Sequence, residues 1–100
     1  MSMEDLEEKI VLWGEEKGIL PNAPRLKQAE KSQEELEELF EGIHNDDIDE
    51  VRDAIGDIVV TLIMQTRLWD LTLHECIEAA YNEIVGRTGK MVDGTFVKDS

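Results

Sequence analysis

The sequence has a single cysteine, Cys76, which excludes an internal disulfide, a CxxC redox pair and a zinc knuckle, and suits a reducing compartment. Basic residues are also scarce. Ten lysines and arginines stand against 24 aspartates and glutamates, for a formal charge of −14. Without a basic face the chain repels nucleic-acid polymers and anionic membranes, so neither is expected as a partner. A small nucleotide stays open as a substrate, because a divalent cation inverts the local sign of an acidic pocket. Long apolar runs are missing too: the longest, Ile58 to Met64, contains Thr61 and is far too short to span a bilayer. The opening MSMEDLEEK has no apolar signal core, which makes the cytoplasm the expected location. No repeat or low-complexity linker divides the chain, so residues 1–100 read as one domain.

What is present is helical periodicity. Hydrophobic residues make up 41% of the chain, too many for a disordered acidic tail. Ser2 with Asp5 starts a first helix carrying Leu6, Ile10 and Trp13; Gly14 and Gly18 weaken it, and Ile19-Leu20-Pro21 reads as an extended connection. Asn22 and Pro24 mark the start of a second helix, whose Leu26, Ala29, Leu36, Phe40 and Ile43 lie on one side. A third helix is predicted from about Asp47 to Trp69, with a main stripe of Ile48, Val51, Ile55, Ile58, Val59 and Leu62. Its centre is apolar nearly all round, so packing on several sides is expected, and Gly56 is expected to admit a neighbouring helix. Thr72 and Glu75 form a capping box for a fourth helix with Ile77, Ala80, Tyr81 and Ile84. Residues 91–97 read as a hairpin around Asp93-Gly94. The expected class is all-α, a four-helix bundle-like fold with a short C-terminal β-hairpin.

Two acidic clusters carry the chemistry. In Glu34-Glu35-Leu36-Glu37-Glu38, the carboxylates of 34 or 35 and of 38 fall on neighbouring turns of one helix. Alone, this is a solvated face. Asp53 and Asp57 are spaced i,i+4 on the third helix, and their line continues into Val60 and Met64, which predicts that Asp57 is partly buried. A buried carboxylate needs a cation, whether Lys, Arg or metal. If the two helices run antiparallel, Glu35 and Glu38 face Asp53 and Asp57 across a polar slot. Oxygen ligands in that number suit Mg²⁺, with Mn²⁺ as a substitute, and imply attack of water on a phosphoryl group.

The series Trp13, Glu16-Lys17-Gly18-Ile19-Leu20, Lys27-Gln28, Lys31, Glu34-Glu35, Glu38-Leu39 and Asp53-Ala54-Ile55-Gly56-Asp57 resembles the MazG-like nucleotide pyrophosphohydrolases. The closing Ala80-Tyr81-Asn82-Glu83-Ile84, Arg87, Gly89-Lys90-Met91 and Gly94-Thr95-Phe96-Val97-Lys98 is similar to the small, phage-type branch of that family. The resemblance implies a MazG-type all-α fold, a homodimer or homotetramer, and Mg²⁺-dependent hydrolysis of an NTP or dNTP to the monophosphate and pyrophosphate. It implies Glu35 and Glu38 as metal ligands, with Glu34 as a catalytic acid that orients or deprotonates water. Asp57 closes the family's second acidic element. The acid that should precede it is replaced by Ala54, and Asp53 stands one residue earlier. Asp53 differs from Asp57 by about 40° in azimuth and about 6 Å along the axis, whereas Glu50 lies about 10 Å away, which favours Asp53 as the further ligand.

The remaining candidates are Lys31, open to a phosphate contact or an ion pair with Glu35, and Asn82, Arg87 and Lys90, open to phosphate contacts or helix-end chemistry. Trp13 stacks on a base or belongs to the core. His44 and His74 read as surface residues and Cys76 as a small core hydrophobe. The rival to an enzyme is a non-catalytic acidic helical interaction module. A calcium loop at Asp47-Ile48-Asp49-Glu50 is rejected, because Arg52 stands where the turn needs glycine.

Overall fold

The computed structural model describes residues 1–99. Four helices and a two-stranded antiparallel ribbon follow one another: α1 (Met3–Glu16), α2 (Arg25–His44), α3 (Ile48–Leu68), α4 (Leu73–Ile84), β1 (Gly89–Val92) and β2 (Thr95–Lys98). Among the described residues no helix is long and apolar enough to cross a membrane.

Local chemistry sets the boundaries. Ser2 Oγ accepts from Asp5 N at 3.1 Å while Ser2 N donates to Asp5 Oδ2 at 3.4 Å, a reciprocal cap that satisfies two free donors. Asp47 Oδ1 accepts from the amides of Asp49 and Glu50 at the start of α3, and Thr72 with Glu75 repeats the reciprocal cap on α4. α2 has no side-chain cap. It begins directly after Pro24, and Asn22 stays outside it. In the ribbon, Val92 pairs with Thr95, and Asp93 (φ 49°) and Gly94 (φ 81°) both adopt the left-handed conformation that a two-residue hairpin turn requires.

α2 and α3 pack most extensively, and α1 and α4 each lie against α3. Val11, Leu20, Ile63 and Met64 form the buried centre, surrounded by Ile10, Ile19, Val59, Leu68 and Leu73. A Cβ at Gly14 would overlap Sδ of Met64, so α1 approaches α3 there. A Cβ at Gly42 would lie 3.0 Å from Val51 Cγ2, which brings α2 close to the start of α3. Gly56 does not play the part expected of it: nothing lies within 4 Å of its missing Cβ, and it faces an open cleft.

Polar ties join the helices. Ser32 Oγ and Thr61 Oγ1 share a hydrogen bond of 2.7 Å between α2 and α3. Arg25 donates from Nε and a terminal nitrogen to Leu68 O at 3.2 and 3.0 Å, and stacks 3.7 Å above the Trp69 ring. Glu7 accepts from Arg67 at 3.3 Å and from Leu73 N at 3.0 Å, so one carboxylate on α1 holds both α3 and α4.

Burial departs from the sequence reading. The apolar side of α2 does not enter the core, since Leu26, Leu36, Phe40 and Ile43 are all exposed. In α3, Thr61, Ile63, Met64 and Thr66 are buried, whereas Ile48, Ile55 and Leu62 of the expected stripe are exposed. The line of Ile48, Ile55 and Leu62 on α3 therefore stays uncovered within one chain, while α1, α2 and α4 cover its C-terminal half from several sides. On α4, Ile77, Tyr81 and Ile84 are also exposed, and Cys76 is half-buried.

Candidate metal centre

Two turns of α2 and one of α3 build the site. Glu35 and Glu38, spaced i,i+3, stand on successive turns of α2, and Asp57 reaches them from α3. One carboxylate oxygen from each of the three residues lies within 4.8 Å of the others. The antiparallel packing anchored by Ser32 and Thr61, one turn from Glu35 and Asp57, sets this convergence.

The three acids are not equivalent. The Glu35 side chain is 13% exposed, whereas Glu38 and Asp57 lie open to solvent. Glu35 Oε2 is buried and has no hydrogen-bond partner. Burial raises the Glu35 carboxyl above the usual range, the neighbouring carboxyl groups of Glu38 and Asp57 raise it further, and Lys31 opposes them. Lys31 Nζ lies 3.2 Å from Glu34 Oε2 and 3.9 Å from Glu35 Oε1. Its own pKa is raised, first by the hydrogen bond to Glu34 and then by the nearby carboxylate charges. Lys31 is thus engaged with Glu34, and Glu35 Oε2 stays without a donor.

Around this group opens a cleft of about 430 Å³, lined among others by Trp13, Ile19, Lys27, Lys31, Glu35 and Asp57. Trp13 is 43% exposed, so it forms a wall of the cleft and not part of the core. Lys27, spaced i,i+4 from Lys31, was not among the candidate binding residues; that spacing was the signal for it.

Other candidates lie elsewhere. Asp57 is exposed at the mouth of the cleft and not partly buried as expected; its line becomes buried only at Met64. Asp53 is not in the carboxylate group. It lines, with Asp57, a second cleft of about 710 Å³ between α1, α3 and α4, whose walls include Leu6, Ile10, Ile63 and Ile77. Glu34 is 67% exposed and bound to Lys31. Asn82, Arg87 and Lys90 are exposed on α4, the following turn and β1, outside the lining of either cleft, and Arg87 pairs with Glu83 at 3.4 Å. His44 and His74 are exposed as expected, His74 facing Glu78 at 3.4 Å.

The donor set fits a hard divalent cation: three carboxylates, no sulfur or imidazole, and a buried oxygen lacking a partner. Comparison of the chain with protein-family models, with characterised proteins and with solved structures finds no match.

Proposed function

We propose that the chain is a MazG-like pyrophosphohydrolase that converts nucleoside or deoxynucleoside triphosphates to the monophosphate and pyrophosphate. The observation that carries the reading is Glu35 Oε2, a buried acceptor with no donor in a group of three converging carboxylates. Such an atom is costly unless a cation meets it. Glu35, Glu38 and Asp57 are the residues that would hold Mg²⁺, or Mn²⁺ in its place. An ion held there would neutralise phosphate charge and make water a better nucleophile.

The chain's own residues complete the reading. Lys31 and Lys27, on the wall of the same cleft, attract the phosphate oxygens that an acidic surface would otherwise repel. Glu34 is next to Glu35 and exposed, free to orient water or take its proton once Lys31 turns to phosphate. The half-exposed Trp13 ring offers a flat apolar wall for a base. Asn82, Arg87 and Lys90 enter the reading only through the resemblance, and Asp53 only through its spacing from Asp57, because the single chain does not bring them to this cleft.

Phosphorus NMR of the products formed from a panel of NTPs and dNTPs tests the assignment. Pyrophosphate with a nucleoside monophosphate is the expected result; orthophosphate with a diphosphate rules the reaction out.

A further inference from the structure

The cleft beside the carboxylates holds one neutral polar side chain that the reading above leaves unused. Its lysines and acids serve the phosphates and the metal, and the Thr61 hydroxyl is engaged with Ser32 Oγ and Ile58 O. Gln28 remains. It is half-buried on the α2 wall, and Trp13 lines the same cleft from α1. Two contacts hold Gln28 in place. Its backbone carbonyl accepts from Ser32 Oγ at 3.3 Å, and its side-chain Nε2 donates to the Thr61 carbonyl of α3 at 3.5 Å.

The second contact is long, yet it fixes the polarity of the amide. The reverse orientation would set Oε1 against Thr61 O, two acceptors with no proton between them, at a residue that is buried. Among the described residues no protein group donates to Gln28 Oε1, and the atom is not enclosed, so it stands as an open acceptor on the cleft wall. Nε2 carries a second hydrogen that Thr61 does not use. The wall therefore presents an acceptor and a donor side by side, in an order that rotation of the amide does not exchange. Its position suits a base. At about 1.5 Å per residue, Gln28 lies about 10 Å along α2 from Glu35, with Lys31 between them. A phosphoryl group at the metal end leaves the sugar and base of one nucleotide to cover that interval.

We propose that Gln28 reads the base and selects those with an exocyclic amine beside an unprotonated ring nitrogen, cytosine and adenine. The inference rests on the reaction proposed above and adds its substrate class. The amine of either base donates to Oε1, and the adjacent ring nitrogen accepts from Nε2, the two-point match of a carboxamide to a base edge. Thymine, uracil and guanine present the opposite order, a carbonyl oxygen beside a ring N–H. Each would bring acceptor to acceptor and donor to donor. An untethered glutamine would turn its amide over and take both classes; the Thr61 carbonyl opposes that turn. Trp13 makes no such choice, because every base has a face to stack. A polar pair of this kind rejects the mismatched base by about tenfold or more, since the unmatched groups lose water and gain no partner.

Competition between dCTP, dATP, dTTP and dGTP in one magnesium-containing reaction, with each monophosphate quantified, reads the ratios of kcat/KM directly. Comparison within one base size removes the effect of cleft volume. The expected result is dCTP over dTTP, and dATP over dGTP, each by at least about tenfold. Gln28→Leu, close in size but without the amide, brings both ratios to within about twofold of unity. Gln28→Glu still accepts from an amine but lacks the donor, and keeps the direction of preference at a smaller ratio. A merely structural role for Gln28 would slow all four substrates together and leave the ratios unmoved. Calorimetric titration with dCMP and dTMP repeats the comparison without turnover. If dCMP binds more tightly than dTMP but no pyrophosphate is released, the reaction is overturned and the role of Gln28 stands. Pyrophosphate release with equal ratios, or with ratios that survive Gln28→Leu, overturns the role of Gln28 alone. Neither release nor binding overturns both.

Discussion

At the residue scale Glu35 decides most. Its carboxyl has a raised pKa in the folded chain, so the folded state holds its proton more tightly than the unfolded state does. The stability this contributes is complete below the ordinary carboxyl value of 4.5 and is lost as pH rises through the folded value. In EDTA, the Tm difference between Glu35→Gln and wild type should therefore be small at low pH and should favour the variant increasingly toward neutrality. Magnesium should stabilise the wild type at pH 7 and leave Glu35→Gln unmoved. Calorimetry across pH, with and without the ion, checks both, and an equal magnesium response in the variant would remove Glu35 from the site. For Asp57→Asn we expect a fall in kcat/KM of at least about a hundredfold, some 2.7 kcal/mol, with Asp53→Asn costing less than about tenfold. Spacing alone revealed Asp57. It did not separate Asp53, because the 40° between them becomes decisive only once α2 occupies one side of α3.

At the scale of elements, helix starts were legible wherever a side chain makes the cap, as at Ser2, Asp47 and Thr72. α2 lacks such a cap; of the two residues read as marking its start, Pro24 precedes the helix directly and Asn22 lies outside it. The apolar stripes were legible as stripes, but their destination was not, since a period near 3.6 does not say whether the partner lies in the same chain. Gly56 was assigned close packing that Gly14 and Gly42 perform instead. Removing a glycine from an open helical position should raise stability, so Gly56→Ala is expected to gain about 0.5–1 kcal/mol in urea unfolding. A loss there would mean that the adjoining cleft is filled in the working protein. Glu7 is the opposite case. It ties Arg67 and the first amide of α4 to α1, and Arg67 Nε is already buried without a partner. Glu7→Ala leaves that guanidinium unpaired and should cost about 1–3 kcal/mol. An unchanged denaturation midpoint would show that the tie is dispensable.

For the whole molecule, charge and core size act together. Only Val11, Leu20, Ala54, Ile63 and Met64 are hydrophobic residues buried in the described chain, and an excess of 14 negative charges opposes compaction. The sequence reads the apolar run Ile58–Met64 as asking for more cover than short helices give, although Leu62 is its only exposed member. It did not disclose that the uncovered side spans both long helices. If the homodimer that the resemblance implies forms, stability obeys mass action: each tenfold rise in concentration favours the folded dimer by about 1.4 kcal/mol. The Tm should accordingly climb with protein concentration, and Phe40→Lys should abolish that dependence while lowering the Tm at the highest concentration. Added sodium chloride should raise the Tm of both proteins by screening repulsion. That common response distinguishes relief of net charge from loss of association, because only association makes stability depend on how many copies are present.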